Sequence, residues 1–289
     1  MKLLLITFTL LFLLSGCSVN ITKDNFIYQD EKVEVQLDLA AISAKITNDA
    51  DLTTVSRVSL VTDAGETLKG VQLLHEKARV NIVLFGGSGM KISQSAAILN
   101  NFASIPANVM WFDYRGVGVS ERKGELNLED ILQDSLQVFD LAKRSLPTNI
   151  PMVVHGISMG SIVGSALANE RTLDGLVLDG AISSVPELVE NTVPAWSKIF
   201  STVTVSPELA QLNNIDFIKQ YKNPLLFLAG TEDTITPIAF SQALFDISGS
   251  EVKTLATISE SKHGMSMKSA AAIKAYTVFI DQITGSGVP

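Results

Sequence analysis

The chain has 289 residues, 46% of them hydrophobic and 18% charged, with a formal net charge of −8. That length fits one large domain or two small ones with a sizeable core, and the acidic balance argues against a nucleic-acid partner, whose phosphates would repel it. One cysteine excludes an internal disulfide, and His75, His155 and His263 are too scattered to suggest a metal site.

The chain opens on Lys2, an apolar run of twelve residues from Leu3 to Leu14, and the small residues Ser15 and Gly16. The run is well short of the roughly 20 residues a bilayer-crossing helix needs, so residues 1–16 read as an export signal. "LSGC", Leu14 to Cys17, resembles the lipobox of bacterial lipoproteins. The resemblance implies that Cys17 is lipidated and becomes the mature N-terminus, held to a membrane by about 0.8 kcal/mol per buried methylene. Ser18 at the next position implies, by the rules of that family, the outer membrane facing the periplasm where the bacterium has two membranes. The alternatives are an ordinary cleaved signal and an uncleaved anchor. Residues 17–32 are then the lipidated cysteine and a polar tether.

From residue 33 onward strand-like and helix-like stretches alternate. "VSRVSLVTDAG" and "TLKGVQLLHE" alternate as half-exposed strands joined by a turn at Asp63-Ala64-Gly65. Short apolar runs follow, "VNIVLF", "NVMWFDY", "PMVVHG", "LDGLVLDG", "PLLFLAG" and "VKTLATI", as expected of buried parallel strands. Between them "SQSAAILNNFASI", "NLEDILQDSLQVFDLAKRS", "MGSIVGSALANER", "PIAFSQALFDIS" and "SAAAIKAYTVFIDQI" have helical spacing. In the second, Leu128, Ile131, Leu132, Leu136 and Phe139 share a face, Asp134 lies off it, and Asn127 is the expected N-cap. The pattern predicts an α/β fold with a sheet covered on both faces. Residues 184–222 interrupt it by about 40 residues, beyond the usual connection length, and are expected as short helices that either cap a site or merely pack.

Gly156-Ile157-Ser158-Met159-Gly160 fits Gly-x-Ser-x-Gly, between a predicted strand and a predicted helix. That pattern suits a serine on a sharp strand-to-helix turn, where side chains two residues to either side would clash. A nucleophilic serine needs a base, the base an orienting acid, and the oxyanion two donors. Only His263 follows Ser158 among the histidines; His155 is too close in sequence and is expected to pack. For the acid, Asp233 in "LAGTEDTITP" and Asp179 in "LVLDGAIS" both follow buried strands, and Glu232 adjoins the first. The oxyanion donors would be the N–H of Met159 and one from the "GGSGM" loop, with Gly87 first and Ser88 second. Phe85, Ile157, Met159 and Met265 either surround an apolar substrate group or belong to the core.

These residues resemble the α/β-hydrolase superfamily, from about residue 55 to the end. "DYRGVGVS", Asp113 to Ser120, resembles the hallmark of the α/β-hydrolase domain-containing serine hydrolases, and "AGTEDTITP" their Gly-x-x-Asp-x-x-x-Pro segment. The resemblance implies the α/β-hydrolase fold, a mostly parallel sheet of about eight strands with a small helical cap over residues 184–222. It implies Asp233 as the acid, a bracing role for Arg115, and a serine esterase acting on a small-molecule acyl substrate without metal or organic cofactor. Ester is the default bond, with thioester or amide open. Phe85-Gly86 departs from the usual His-Gly of that loop. A non-catalytic binding lipoprotein and an acyltransferase are the competing readings.

Overall fold

The computed structural model describes residues 17–194, 196–199 and 201–285. The expected export signal, residues 1–16, lies outside the described residues. Among the described residues the strands are β1 (Cys17–Ile21), β2 (Thr53–Val61), β3 (Thr67–His75), β4 (Val80–Phe85), β5 (Ala107–Phe112), β6 (Met152–Ile157), β7 (Gly175–Asp179), β8 (Ser201–Val205), β9 (Leu225–Gly230) and β10 (Lys253–Ile258). Eight of them form one sheet in the order β10-β9-β7-β6-β4-β5-β3-β2. Only β3 runs against the rest: it is antiparallel to both neighbours, while the other pairings are parallel. This is the α/β-hydrolase fold.

The central strands are buried along their whole length, which is why they read as continuous apolar runs. Helices cover both faces. One apolar layer joins Leu84, Phe102, Trp111, Val177, Tyr276 and Phe279. The other joins Val83, Phe112, Val138, Phe139, Leu176 and Phe227.

Seven helices matter below: α1 (Ile98–Ala103), α2 (Leu128–Ser145), α3 (Met159–Glu170), α4 (Val185–Thr192), α5 (Asn214–Gln220), α6 (Ile238–Ile247) and α7 (Ala270–Thr284). The continuous helix expected over "SQSAAILNNFASI" is instead two short ones, Ile92–Ser95 and α1. Asn127 does precede α2, but its side chain caps no amide and bonds Asp130 at 3.3 Å instead. Asp134, expected on the polar face of α2, is buried. The guanidinium of Arg115 donates to both its oxygens, at 2.7 and 2.6 Å, so a long-range partner pulls it inward.

Two expectations need correcting. Residues 184–222 hold more than short helices: β8 lies among them and pairs in parallel with β1, Cys17 opposite Ser201 and Ile21 opposite Val205. The tether expected over 17–32 is therefore folded against the domain. Besides β1, Ile27 is 3% exposed and joins the second apolar layer, because Ile21, Phe26 and Ile27 supply apolar contacts that the polar average conceals. The inserted segment has its own small core, with Val185, Leu209 and Leu212 resting on Ile162 and Ile182. Buried Asn214 fastens it further, donating to the carbonyl of Ile182 at 2.8 Å and the hydroxyl of Ser161 at 3.2 Å. Among the described residues no helix is long and apolar enough to cross a membrane.

Candidate active site

Ser158 sits between β6 and α3 with φ 53° and ψ −116°, a conformation that non-glycine residues adopt only when their surroundings force it. The surroundings are tight. A Cβ on Gly156 would lie 2.2 Å from the carbonyl oxygen of Gly160, and one on Gly160 would lie 2.0 Å from that of Phe85. The two glycines of the motif are thus required by close backbone approach. The Ser158 N–H donates to the carbonyl of Asp179 at 3.0 Å, which ties the turn to the neighbouring strand. At the start of α3 the first amides have no partner within the helix and face the turn with the positive end of its dipole.

The loop after β4 closes over the serine. A Cβ on Gly87 would be 3.4 Å from Ser158 Cβ and 3.9 Å from its Oγ, so even one methyl group there would touch the serine side chain. Tyr114, from the "DYRGVGVS" loop, donates its hydroxyl to the Gly86 carbonyl at 3.0 Å. Asp113 accepts from the amides of Ile92 at 2.8 Å and Val119 at 3.1 Å, and burial pushes its carboxyl up to about 7. The Arg115 guanidinium is taken up by the acidic group of Asp134, Asp130 and Glu66. That octapeptide is therefore a folded brace between the sheet and α2.

His263 and Asp233 come together. His263 Nδ1 is 2.8 Å from Asp233 Oδ2, and Asp233 is 6% exposed. The second oxygen of Asp233 accepts from the amides of Ile235 at 2.9 Å and Thr236 at 2.8 Å. Burial alone would raise this carboxyl, but the hydrogen bonds from His263 and Thr236 outweigh it and hold it below the usual range. Thr236 was not singled out from the sequence. Its hydroxyl donates to Asp233 Oδ2 at 2.7 Å and lies 3.0 Å from His263 Nδ1, fixing both partners. Gly180 makes room for them: a Cβ there would be 3.2 Å from Asp233 Oδ2 and 3.4 Å from His263 Nδ1, and its φ of 57° suits glycine.

Ser158 and His263 line one open cavity of about 480 Å³, together with Gly87, Met90, Ile98 and Met265. Exposed Met265 reaches this cavity; Ile157 lines it as well but is a core residue, as are Phe85 and Met159. Ser88 also lines it, but its hydroxyl is engaged elsewhere. Glu232 is exposed and His75 lies at the far end of β3, near Asp49. His155 is fully buried, stacked on Tyr276 with ring centroids 5.7 Å apart. Burial pushes its pKa down to about 3, so it is a neutral packing residue, as the sequence suggested.

Asp179, the rival acid, is 1% exposed and neither of its oxygens has a well-formed hydrogen bond. Burial pushes its carboxyl up to about 7, against opposing pulls from Ser266 and His263. The folded protein therefore holds this proton more tightly than the unfolded chain, and stability contributed by the neutral form is lost as pH rises from about 4 to about 7. Asp179→Asn does not titrate, so its unfolding temperature should match wild type near pH 4 and exceed it at pH 8. The gap should open steadily between those two pH values, read by thermal melts across pH. A constant difference at all pH values would contradict the buried titration.

Residues 76–223 match the family model described as serine aminopeptidase, S33. The chain belongs to this family. Among curated relatives it is 26% identical to protein bem46 of Schizosaccharomyces pombe over 215 residues, which cover 72% of this chain and 70% of that protein. It is 30% identical over 144 residues to the α/β hydrolase domain-containing protein WAV2 of Arabidopsis thaliana, 46% of either chain. Among solved structures, the Pyrococcus furiosus esterase Pf2001 superposes with a TM-score of 0.69 at 15% identity, covering 90% of this chain and 98% of its own. The ferulic-acid-bound Est1E of Butyrivibrio proteoclasticus gives 0.61 at 18% identity, covering 79% and 99%. These likenesses establish the fold, and membership in the S33 family makes the chain an α/β-fold hydrolase.

Proposed function

We propose that this S33-family protein is a serine hydrolase that cleaves a carboxylic ester, or a related thioester or amide, through Ser158, His263 and Asp233. The observation that carries the reading is the 2.8 Å contact of His263 with buried Asp233 on a cavity wall shared with the strained Ser158. Ser158 Oγ attacks the substrate carbonyl while His263 takes its proton. The tetrahedral oxyanion is held by the amides of Gly87 and Met159. The bond to the leaving group breaks as His263 returns the proton to it, leaving an acyl-serine. Water then attacks, His263 again moves the proton, and the acid and free Ser158 result. Asp233 holds the imidazole tautomer and stabilises its cation.

Two features favour an ester over a peptide with a free amino terminus. Among the described residues lining the cavity there is no aspartate or glutamate to receive an ammonium group. The wall mixes glycine, methionine and isoleucine with uncharged polar side chains such as Gln94 and Asn101 and one cation, Lys268, and its volume suits a small acyl compound. The lipobox-like "LSGC" supports a further part of the reading: attachment at Cys17 and residence on a membrane of the cell envelope, the outer membrane facing the periplasm where there are two.

A fluorophosphonate probe tests the chemistry directly. It should label the wild type at Ser158 and spare Ser158→Ala. Labelling of both to the same extent, or of neither, would overturn the catalytic assignment.

A further inference from the structure

The segment ahead of the α/β sheet makes an unusual set of contacts, and they converge on one place. Ser88, in the loop that faces Ser158, uses its hydroxyl entirely on this segment. It accepts from the Tyr28 amide at 2.9 Å and donates to the Phe26 carbonyl at 2.9 Å. The next residue, Gly89, has φ 73° and lies under the Tyr28 ring, where a Cβ would be 3.2 Å from Cγ. Lys91 closes the same loop with an ion pair to Asp30, and its ammonium sits 5.4 Å above the Tyr28 ring. Tyr28 completes the group by donating its hydroxyl to Asp30 at 2.8 Å.

The same few residues hold the bracing octapeptide as well. The Asp30 amide donates to the Gly116 carbonyl at 2.9 Å, and the Asp30 carboxylate accepts from the Gly118 amide at 2.8 Å. Gln29 donates to the Arg115 carbonyl at 3.0 Å and accepts from Arg122 at 2.8 Å. Opposing effects of burial and of Lys91, Gly118 and Tyr28 leave the Asp30 carboxyl below its usual range, so it is charged and strongly bonded where it sits. Residues 26–30 lie before residue 76, where the match to the S33 family begins, and all their partners here lie within it.

We infer that residues 26–30 are a positioning strap: through Ser88 and Lys91 they hold the loop carrying Gly87 where its amide meets the developing oxyanion. Glycines give that loop little stiffness of its own, since Gly86, Gly87 and Gly89 flank the single Ser88. A donor displaced by an ångström loses most of its effect on a tetrahedral intermediate, so a loop this pliable needs external fixing. Ser88 is thereby a positioning residue and not an oxyanion donor through its side chain. The inference rests on the hydrolase reading above and assigns a role to a part of the chain outside the family match.

The test compares Ser88→Ala, Ser88→Thr and Asp30→Ala with wild type, using a short-chain p-nitrophenyl ester and the fluorophosphonate labelling rate. Ser88→Ala and Asp30→Ala should lower kcat and labelling rate by about 10- to 100-fold while KM changes little, because the loss falls on the transition state. Ser88→Thr keeps the hydroxyl and should restore most of the rate. Should Asp30→Ala fail to fold, Lys91→Met replaces it, since it keeps the alkyl stem over Tyr28 and removes only the charge. Wild type and Ser88→Ala labelling at the same rate would overturn the strap alone, as would a Ser88→Thr as slow as Ser88→Ala. A wild type that does not label would overturn the hydrolase reading and the strap with it.

Discussion

Alanine at Ser158 should lower kcat/KM for a short-chain ester by about 10^6-fold, and alanine at His263 by about as much. The two losses should not add, because either change removes the same proton transfer from the same attack; the double variant should be no slower than the single ones. Asp233→Asn should cost about 10^4-fold, since an amide accepting at one atom and donating at another presents His263 with the wrong tautomer. Each variant keeps the side-chain volume close to the original or smaller, so circular dichroism and a thermal melt will show whether the loss is chemical. Asp179→Asn is the informative control. Its side chain bonds neither His263 nor Ser158, and its activity should stay within about tenfold of wild type. Should Asp179→Asn be the damaging change and Asp233→Asn the mild one, the acid has been assigned to the wrong strand end.

That contest between two aspartates marks the limit of what the sequence could decide. Asp179 and Asp233 both follow buried apolar strands, and β7 and β9 are neighbours in the sheet, so either could reach a histidine coming from beyond β10. What separates them is three-dimensional: the Asp179 backbone is spent on the Ser158 amide, and Gly180 then clears space for His263 to meet Asp233. The serine turn was legible because its demands are local. Two glycines, a strand and a helix start all fall within one short window, and the clash distances at Gly156 and Gly160 show why nothing larger fits. Order along the chain singled out His263, which the fold places beside Asp233 on the cavity that Ser158 lines. Thr236 was not, because a threonine in a turn carries no signal until its neighbours are placed.

The packed N-terminal segment was misread for a related reason. "SVNITKDNFIYQDEK" averages to polar, yet its polar groups are consumed by specific distant partners, Asp30 by Gly118 and Lys91, Gln29 by Arg115 and Arg122. Composition reports whether a segment can bury itself unaided; it is blind to pairings sixty to ninety residues away. The same blindness put Asp134 on the solvent face of α2 and left β8 unseen, since its partner β1 lies at the other end of the chain.

The second large effect concerns folding. Gly160→Ala should be strongly destabilising even though alanine is the better helix former by about 1 kcal/mol. The added methyl would sit 2.0 Å from the carbonyl oxygen of Phe85 and 2.8 Å from that of Gly86. Both are backbone atoms, one ending β4 and the other opening the loop that Tyr114 holds by its hydroxyl. Neither can step aside by changing rotamer, so α3 must lift off β4 or the loop must move. Overpacking of this kind costs about 3 kcal/mol, the upper end of its usual range, which for a chain of this size lowers the unfolding temperature by roughly 5 °C. Gly164→Ala is the matched control one turn along α3, where the methyl would meet only the side chains of Val154 at 3.0 Å and Leu176 at 3.6 Å, both able to shift slightly. Thermal melts should separate the two variants widely. Equal unfolding temperatures would mean that the approach of α3 to β4 is looser than these distances require, and that Gly160 serves the turn at Ser158 alone.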